Sequence, residues 1–250
     1  MNTFRFSLLF GALIFVLGSL SSCKEETTPA PGELTLTPKA YFNNEPLVIG
    51  DLYTDILGHT VRVENFKCYI AEITAIEDSG VEHELAVVDL VDFENPIALT
   101  YTLPSGNYTG FRVSIGVPPE LNKDQDPAQY ESDHPLSLYG AEGMFWSWGT
   151  GYIFTKFDGK ANFAGENDPI LEPYAFHCGE DFLYTTLNFG RNFCVGEETA
   201  SLELRFNVEK FFYNANDTID IQVDNFTHTN GNVPLAERFS ALFNEAIELH

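Results

Sequence analysis

The chain has 250 residues, 13 Lys and Arg against 37 Asp and Glu, and a formal net charge of -24. That balance excludes a nucleic-acid backbone as partner, because binding one needs a cationic surface, and it excludes a polybasic membrane-surface segment. With 44% hydrophobic residues, 22 Phe and 11 Tyr, there is apolar surface for a sizeable core, so the charge does not imply disorder.

The N-terminus reads as an address. Arg5 precedes an apolar run over residues 8–20, too short for a membrane span of ~20 residues but suited to a signal-peptide core. Leu20-Ser21-Ser22-Cys23 looks like the lipobox of bacterial lipoproteins. Residues 1–22 are therefore expected to be a lipoprotein signal peptide and Cys23 the lipid anchor. Residues 23–32 read as a tether, with Lys24-Glu25-Glu26 resembling a surface-export tag and TTPAPG forming an extended Pro-rich linker. The implied location is the cell envelope, lipid-anchored to the outer membrane and either periplasmic or surface-exposed.

From residue 33 to residue 250 the sequence predicts one domain. Short stretches rich in Val, Ile, Phe, Tyr and Thr alternate with turn residues. Strands are expected at 33–37, 60–76, 84–91, 97–103, 108–117, 144–157, 174–178, 182–189, 201–208 and 218–223. Asp78-Ser79-Gly80, Pro104-Ser105-Gly106-Asn107, Asp158-Gly159 and Asn230-Gly231-Asn232 supply turns. The spacing argues for an all-β fold, an antiparallel sandwich or barrel-like domain with long loops. Residues 118–139 form the long irregular stretch. Residues 234–249 predict a C-terminal helix with Pro234 in its first turn, and with Leu235, Phe239, Leu242, Phe243 and Ala246 on one apolar face packed against the sheet.

Cysteine usage fits export. Cys68 shares a strand face with Phe66 and Ile70 and reads as a buried thiol. Cys178 and Cys194 flank a segment readable as a hairpin, so a disulfide between them is expected in an oxidising envelope. Closing such a loop would stabilise by roughly 3 kcal/mol in the chain-entropy model.

The densest chemistry lies in residues 144–159, GMFWSWGTGYIFTKFDG from Gly143 on, where both tryptophans stand two apart. On a strand, Met144, Trp146, Trp148, Thr150 and Tyr152 share one face, and the other face alternates small residues that allow close approach. No nucleophile elbow, HExxH, P-loop or GxGxxG is present, so a binding role is favoured over an enzyme. One alternative is an aromatic platform of Trp146, Trp148 and Tyr152 for a sugar or protein. Calcium is a further alternative, because Asn122-Lys123-Asp124-Gln125-Asp126 has calcium-like oxygen spacing, without the Gly and terminal Glu of an EF-hand loop.

The run from His134-Pro135-Leu136 through GMFWSWGTGYIFTKFDG, followed by Ala175-Phe176-His177-Cys178-Gly179, resembles the MbnP-like family. Residues 65–71 (NFKCYIA), 106–116 (GNYTGFRVSIG), Asn122 and Phe226-Thr227-His228-Thr229 fit the same family, so the resemblance covers most of the mature chain. It implies a β-rich, envelope copper-binding protein of the kind found in methanobactin operons. In such proteins copper(I) is held by two His and by the amine of kynurenine, made from Trp with the help of a dihaem peroxidase-like partner. Carried over residue by residue, His177 is the first ligand candidate, His134 the second and His228 the third, with Trp146 or Trp148 as the modified residue. A related pattern places a ligand His two residues from the modified Trp. Here Trp148 and Met144 occupy those positions around Trp146, which leaves the second His and the choice of Trp open. His59, His83 and His250 read as structural or solvated.

Overall fold

The computed structural model describes residues 30–123, 125–146, 151–162 and 172–250, and these are mostly β. The expected signal peptide (residues 1–22), Cys23, Asp124 and Trp148 lie outside the described residues. In chain order the strands are β1 (Gly32–Phe42), β2 (Glu45–Pro46), β3 (Leu52–Thr54), β4 (Thr60–Glu77), β5 (Glu82–Asp92), β6 (Leu99–Leu103), β7 (Gly106–Ile115), β8 (Phe145–Trp146), β9 (Gly151–Asn162), β10 (Glu172–Gly179), β11 (Thr185–Phe189), β12 (Phe193–Val195), β13 (Ala200–Asn207), β14 (Phe226–His228) and β15 (Ile247–Leu249). The helices are α1 (Pro119–Asn122) and α2 (Val233–Glu245).

Alternation along β4 sets the faces of the larger sheet. Val61, Val63, Phe66 and Cys68 are fully buried, while Arg62 and Lys67 point outward. A register irregularity between Val63 and Asn65 moves the inward phase from Val63 to Phe66. One edge of β4 carries β9 along its first half and β7 along its second; the opposite edge carries β3 and β5. Beyond β9 lie β10 and then β14, and beyond β7 lie β11 and β12. The smaller sheet is built on β1, with β13 and β15 on one side and β2 and β6 on the other. Most pairs are antiparallel, as expected, but β1–β13 and β10–β14 are parallel. The second of these parallel pairs builds the site described below.

The two sheets meet through phenylalanine. Phe66 stacks on Phe93 at 4.0 Å between ring centroids and meets Phe157, Phe206, Phe211 and Phe243 edge-on. Helix α2 closes the core, with Phe239 stacked on Phe176 at 4.5 Å. The Asn232 side chain accepts the Leu235 N–H and starts the helix. The helix ends earlier than predicted, at Glu245, because Ile247–Leu249 pairs with the edge of β13 instead. The strand predicted at 218–223 is replaced by turns. Asp217 and Asp220 side chains accept the Thr218 and Gln222 N–H groups, and these local bonds compete with strand pairing.

The expected disulfide is not formed: Cys178 and Cys194 are free thiols. The segment between them is not a hairpin. β10, β11 and β12 run on in one direction, each antiparallel to the β9 or β7 strand beside it. Cys178 lies in the row of Thr155 and Cys68, and Cys194 lies beside Asn107, next to the row of Tyr108 and Glu77. Nine residues of β4 at about 3.3 Å each separate those rows by roughly 30 Å, whereas a disulfide needs Cα atoms within about 7 Å. Cys68 is buried, as predicted.

Candidate metal site

Strand alternation places Tyr174, Phe176 and Cys178 of β10 toward the core and Ala175 and His177 outward. β14 runs parallel to β10 in the register Ala175–Phe226 and His177–His228. Two imidazoles therefore stand side by side on neighbouring strands. Their ring centroids are 4.5 Å apart with 6° between planes, close to the strand spacing of about 4.8 Å. Phe226, two residues back on the same strand, packs against His228 at 4.6 Å between ring centroids, with the rings tilted by 39°.

Strand β9 completes the face. Lys156 lies directly opposite His177, and Asp158 opposite Ala175. Asp158 Oδ1 is 2.6 Å from His177 Nε2, and Lys156 Nζ is 4.0 Å from Asp158 Oδ2. The row continues into β4 and β5 as Lys67 and Asp92, an ion pair at 2.9 Å. Burial is the main cause that holds His228 below the ordinary imidazole pKa; the neighbouring His177 and Lys156 act the same way, and Asp158 opposes them. The ring is neutral near pH 7, with a lone pair available.

Trp146 lies at the same end of the sheet. Strand β8 pairs it with Gly151 of β9, and its side chain is only 6% exposed. Its six-membered ring covers Gly179, with ring carbons 2.9 and 3.1 Å from where a Cβ at Gly179 would stand. The Gly179 N–H donates to Thr229 Oγ1 at 2.9 Å, and that hydroxyl donates to the His177 carbonyl at 3.2 Å. Thr229, next to His228, thus ties the Trp146 end of β10 to the imidazole pair. Among the described residues the buried Trp146 indole N–H has no hydrogen-bond partner. Asn122 buttresses this end: its Oδ1 accepts the Tyr152 N–H at 2.9 Å and its Nδ2 donates to Asp181 at 2.7 Å.

His134 does not join the pair. It sits in the turn before β8, stacked on Tyr130 at 4.4 Å, with Nδ1 accepting the Leu136 N–H at 3.1 Å. His59, His83 and His250 each pair with a carboxylate, Asp55, Glu77 and Glu248 respectively. The calcium reading finds no support. Asp126 caps the turn at Ala128, and among the described residues no group of three or more His, Cys, Asp or Glu side chains is placed to hold a metal ion. Imidazole nitrogens suit copper or another transition metal, whereas calcium takes about six to eight oxygens. The aromatic platform loses two of its three rings, since Trp146 and Tyr152 are buried; Trp148 lies outside the described residues.

The MbnP family model matches residues 31–232. The chain belongs to the MbnP family. The matched span includes both tryptophans, His134, His177 and His228, and stops before α2. MbnP proteins are secreted or envelope proteins associated with copper and linked to the methanobactin operon. A solved structure, MbnP from Methylosinus trichosporium, is similar at 12% identity over 76% of this chain and 80% of that one, with a TM-score of 0.47. No curated protein matches the chain. No helix among the described residues is long and apolar enough to cross a membrane.

Sequence reasoning ranked His134 above His228 because His134 stands nearer the Trp segment in the chain. The signal that favours His228 is the parallel β10–β14 register, which no local pattern announces. Asp158-Gly159, expected as a turn, lies inside β9, and the alternation of Lys156 and Asp158 with buried residues marks their outward position.

Proposed function

We propose that this MbnP-family chain is an envelope copper-binding protein, tethered through Cys23, that holds copper through His177 and His228. Its role is acquisition, storage or transfer rather than catalysis. The observation that carries this reading is the cofacial imidazole pair. Two His side chains share one cross-strand position beside a buried tryptophan, and no hydrogen bond of the described residues engages either nitrogen of the His228 ring or Nδ1 of His177.

In this reading Trp146 is the residue that a separate dihaem peroxidase-like enzyme opens to kynurenine, with peroxide as the oxidant cleaving the indole C2–C3 bond and C2 leaving as formate on hydrolysis. Its ring covers Gly179, two residues from His177, and among the described residues its N–H has no hydrogen-bond partner. The arylamine would be a third nitrogen donor of a kind no genetically encoded side chain supplies. His177 and His228 would hold the metal.

The test is a copper(I) titration of the mature chain against a competing chelator. Wild type is expected to take up one copper, with His177→Ala and His228→Ala each losing most of that affinity and His134→Ala keeping it. Equal affinity in all four proteins would remove the pair from the site. Peptide mass spectrometry of protein from its native host tests the tryptophan, and an unmodified Trp146 there would count against the kynurenine donor.

A further inference from the structure

His177 has two ring nitrogens, and they are not equivalent. Nε2 is 2.6 Å from Asp158 Oδ1, the separation of a strong charge-assisted hydrogen bond. Nδ1 has no hydrogen-bond partner among the described residues. A carboxylate accepts but cannot donate, so a neutral imidazole that keeps this bond carries its proton on Nε2 and its lone pair on Nδ1. The carboxylate is itself fixed: β9 presents it on the outward face, and Lys156 Nζ approaches its other oxygen at 4.0 Å. Lys156 in turn donates to the Gly143 carbonyl at 3.3 Å, which holds the ammonium over this part of the sheet.

We infer that Asp158 is the positioning residue of the metal site: it locks His177 as the Nε2–H tautomer and makes Nδ1 the donor atom. The inference rests on the copper reading for its consequence, but the tautomer exists in the metal-free protein. Donation by the imidazole to a carboxylate makes the opposite nitrogen a stronger base, as in carboxylate–histidine–metal arrangements generally. The row places a second carboxylate, Asp92, on the same face without contact to His177, because it is paired to Lys67 at 2.9 Å. Asp92 therefore serves as the internal control for charge alone.

The experiment is nitrogen-15 NMR of histidine-labelled mature protein, metal-free and then loaded with Cu(I), on wild type, Asp158→Ala and Asp92→Ala. In metal-free wild type, His177 is expected to show a protonated Nε2 with a slowly exchanging, downfield proton and an unprotonated Nδ1. Asp158→Ala should lose that proton signal, and Asp92→Ala should keep it. On loading, the metal-dependent shift should fall on Nδ1. Cu(I) affinity should drop about 10- to 100-fold in Asp158→Ala, the usual cost of losing such a partner, and stay within about threefold in Asp92→Ala. With the imidazole neutral, a proton on Nδ1 and none on Nε2 in metal-free wild type would overturn the inference whether or not the protein binds copper, and so would a metal-dependent shift on Nε2. Failure to bind copper with the Nε2–H tautomer intact would instead overturn the copper reading and leave the positioning role standing.

Discussion

Gly179→Ala tests how tightly the tryptophan end of the site is built. A methyl group at Gly179 would stand inside contact distance of the Tyr152 carbonyl oxygen and 2.9 Å from a Trp146 ring carbon. The first obstacle is backbone of the neighbouring strand, and the second is a buried indole, so neither moves without cost. Overpacking of this kind costs about 1–3 kcal/mol. At about 2–4 °C per kcal/mol for a chain of this size, the melting temperature should fall by roughly 2–12 °C. Thermal unfolding followed by far-UV circular dichroism measures the loss, and Trp fluorescence should report a displaced indole. Gly190→Ala is the matched control, because nothing lies within 4 Å of a Cβ there; it should be neutral or stabilise slightly by narrowing the unfolded ensemble. Equal melting temperatures and identical fluorescence for Gly179→Ala and wild type would refute the close packing of Trp146 on β10.

Phe66→Ala should cost about 3–5 kcal/mol, because five other Phe rings pack on that side chain; denaturant melts measure it. Cys68, Cys178 and Cys194 should all titrate with a thiol reagent in denaturant without reductant. In the folded protein only Cys194 should react readily, since burial pushes the Cys178 thiol up to about 12 and Cys68 higher. His228, held below its ordinary value of 6.5 in the folded state, binds fewer protons there than when unfolded. Its contribution is therefore full above that value and lost as pH falls through and below it. His228→Gln should flatten the stability profile over that window, and melts at several pH values check the slope.

Periodicity made much of the fold legible. The alternation of Val61, Val63, Phe66 and Cys68 with polar partners announced β4, and the spacing of Leu235, Phe239, Leu242 and Phe243 announced α2. The end of α2 was less legible, because helical spacing continues to Ala246 while the open edge of β13 captures Ile247–Leu249. The Cys178–Cys194 pairing failed for a related reason. Apolar stretches separated by a turn read as a hairpin, yet the 3-10 turn at Asp181–Leu183 carries the chain onward and β11 joins β7 rather than β10. At the site, the Trp segment and His177 could be found locally. Their relation to His228 and Asp158 depends on a parallel pairing across about fifty residues and on a cross-strand neighbour, and no short motif encodes either.

The most direct test of the copper reading is an anomalous difference map, collected at the copper edge, from crystals of the copper-loaded mature protein. The account predicts one strong peak within bonding distance of a ring nitrogen of both His177 and His228, on the outer face of β10 and β14. A peak at His134, a peak elsewhere on the surface, or no ordered copper under loading conditions that saturate the protein in solution would contradict it.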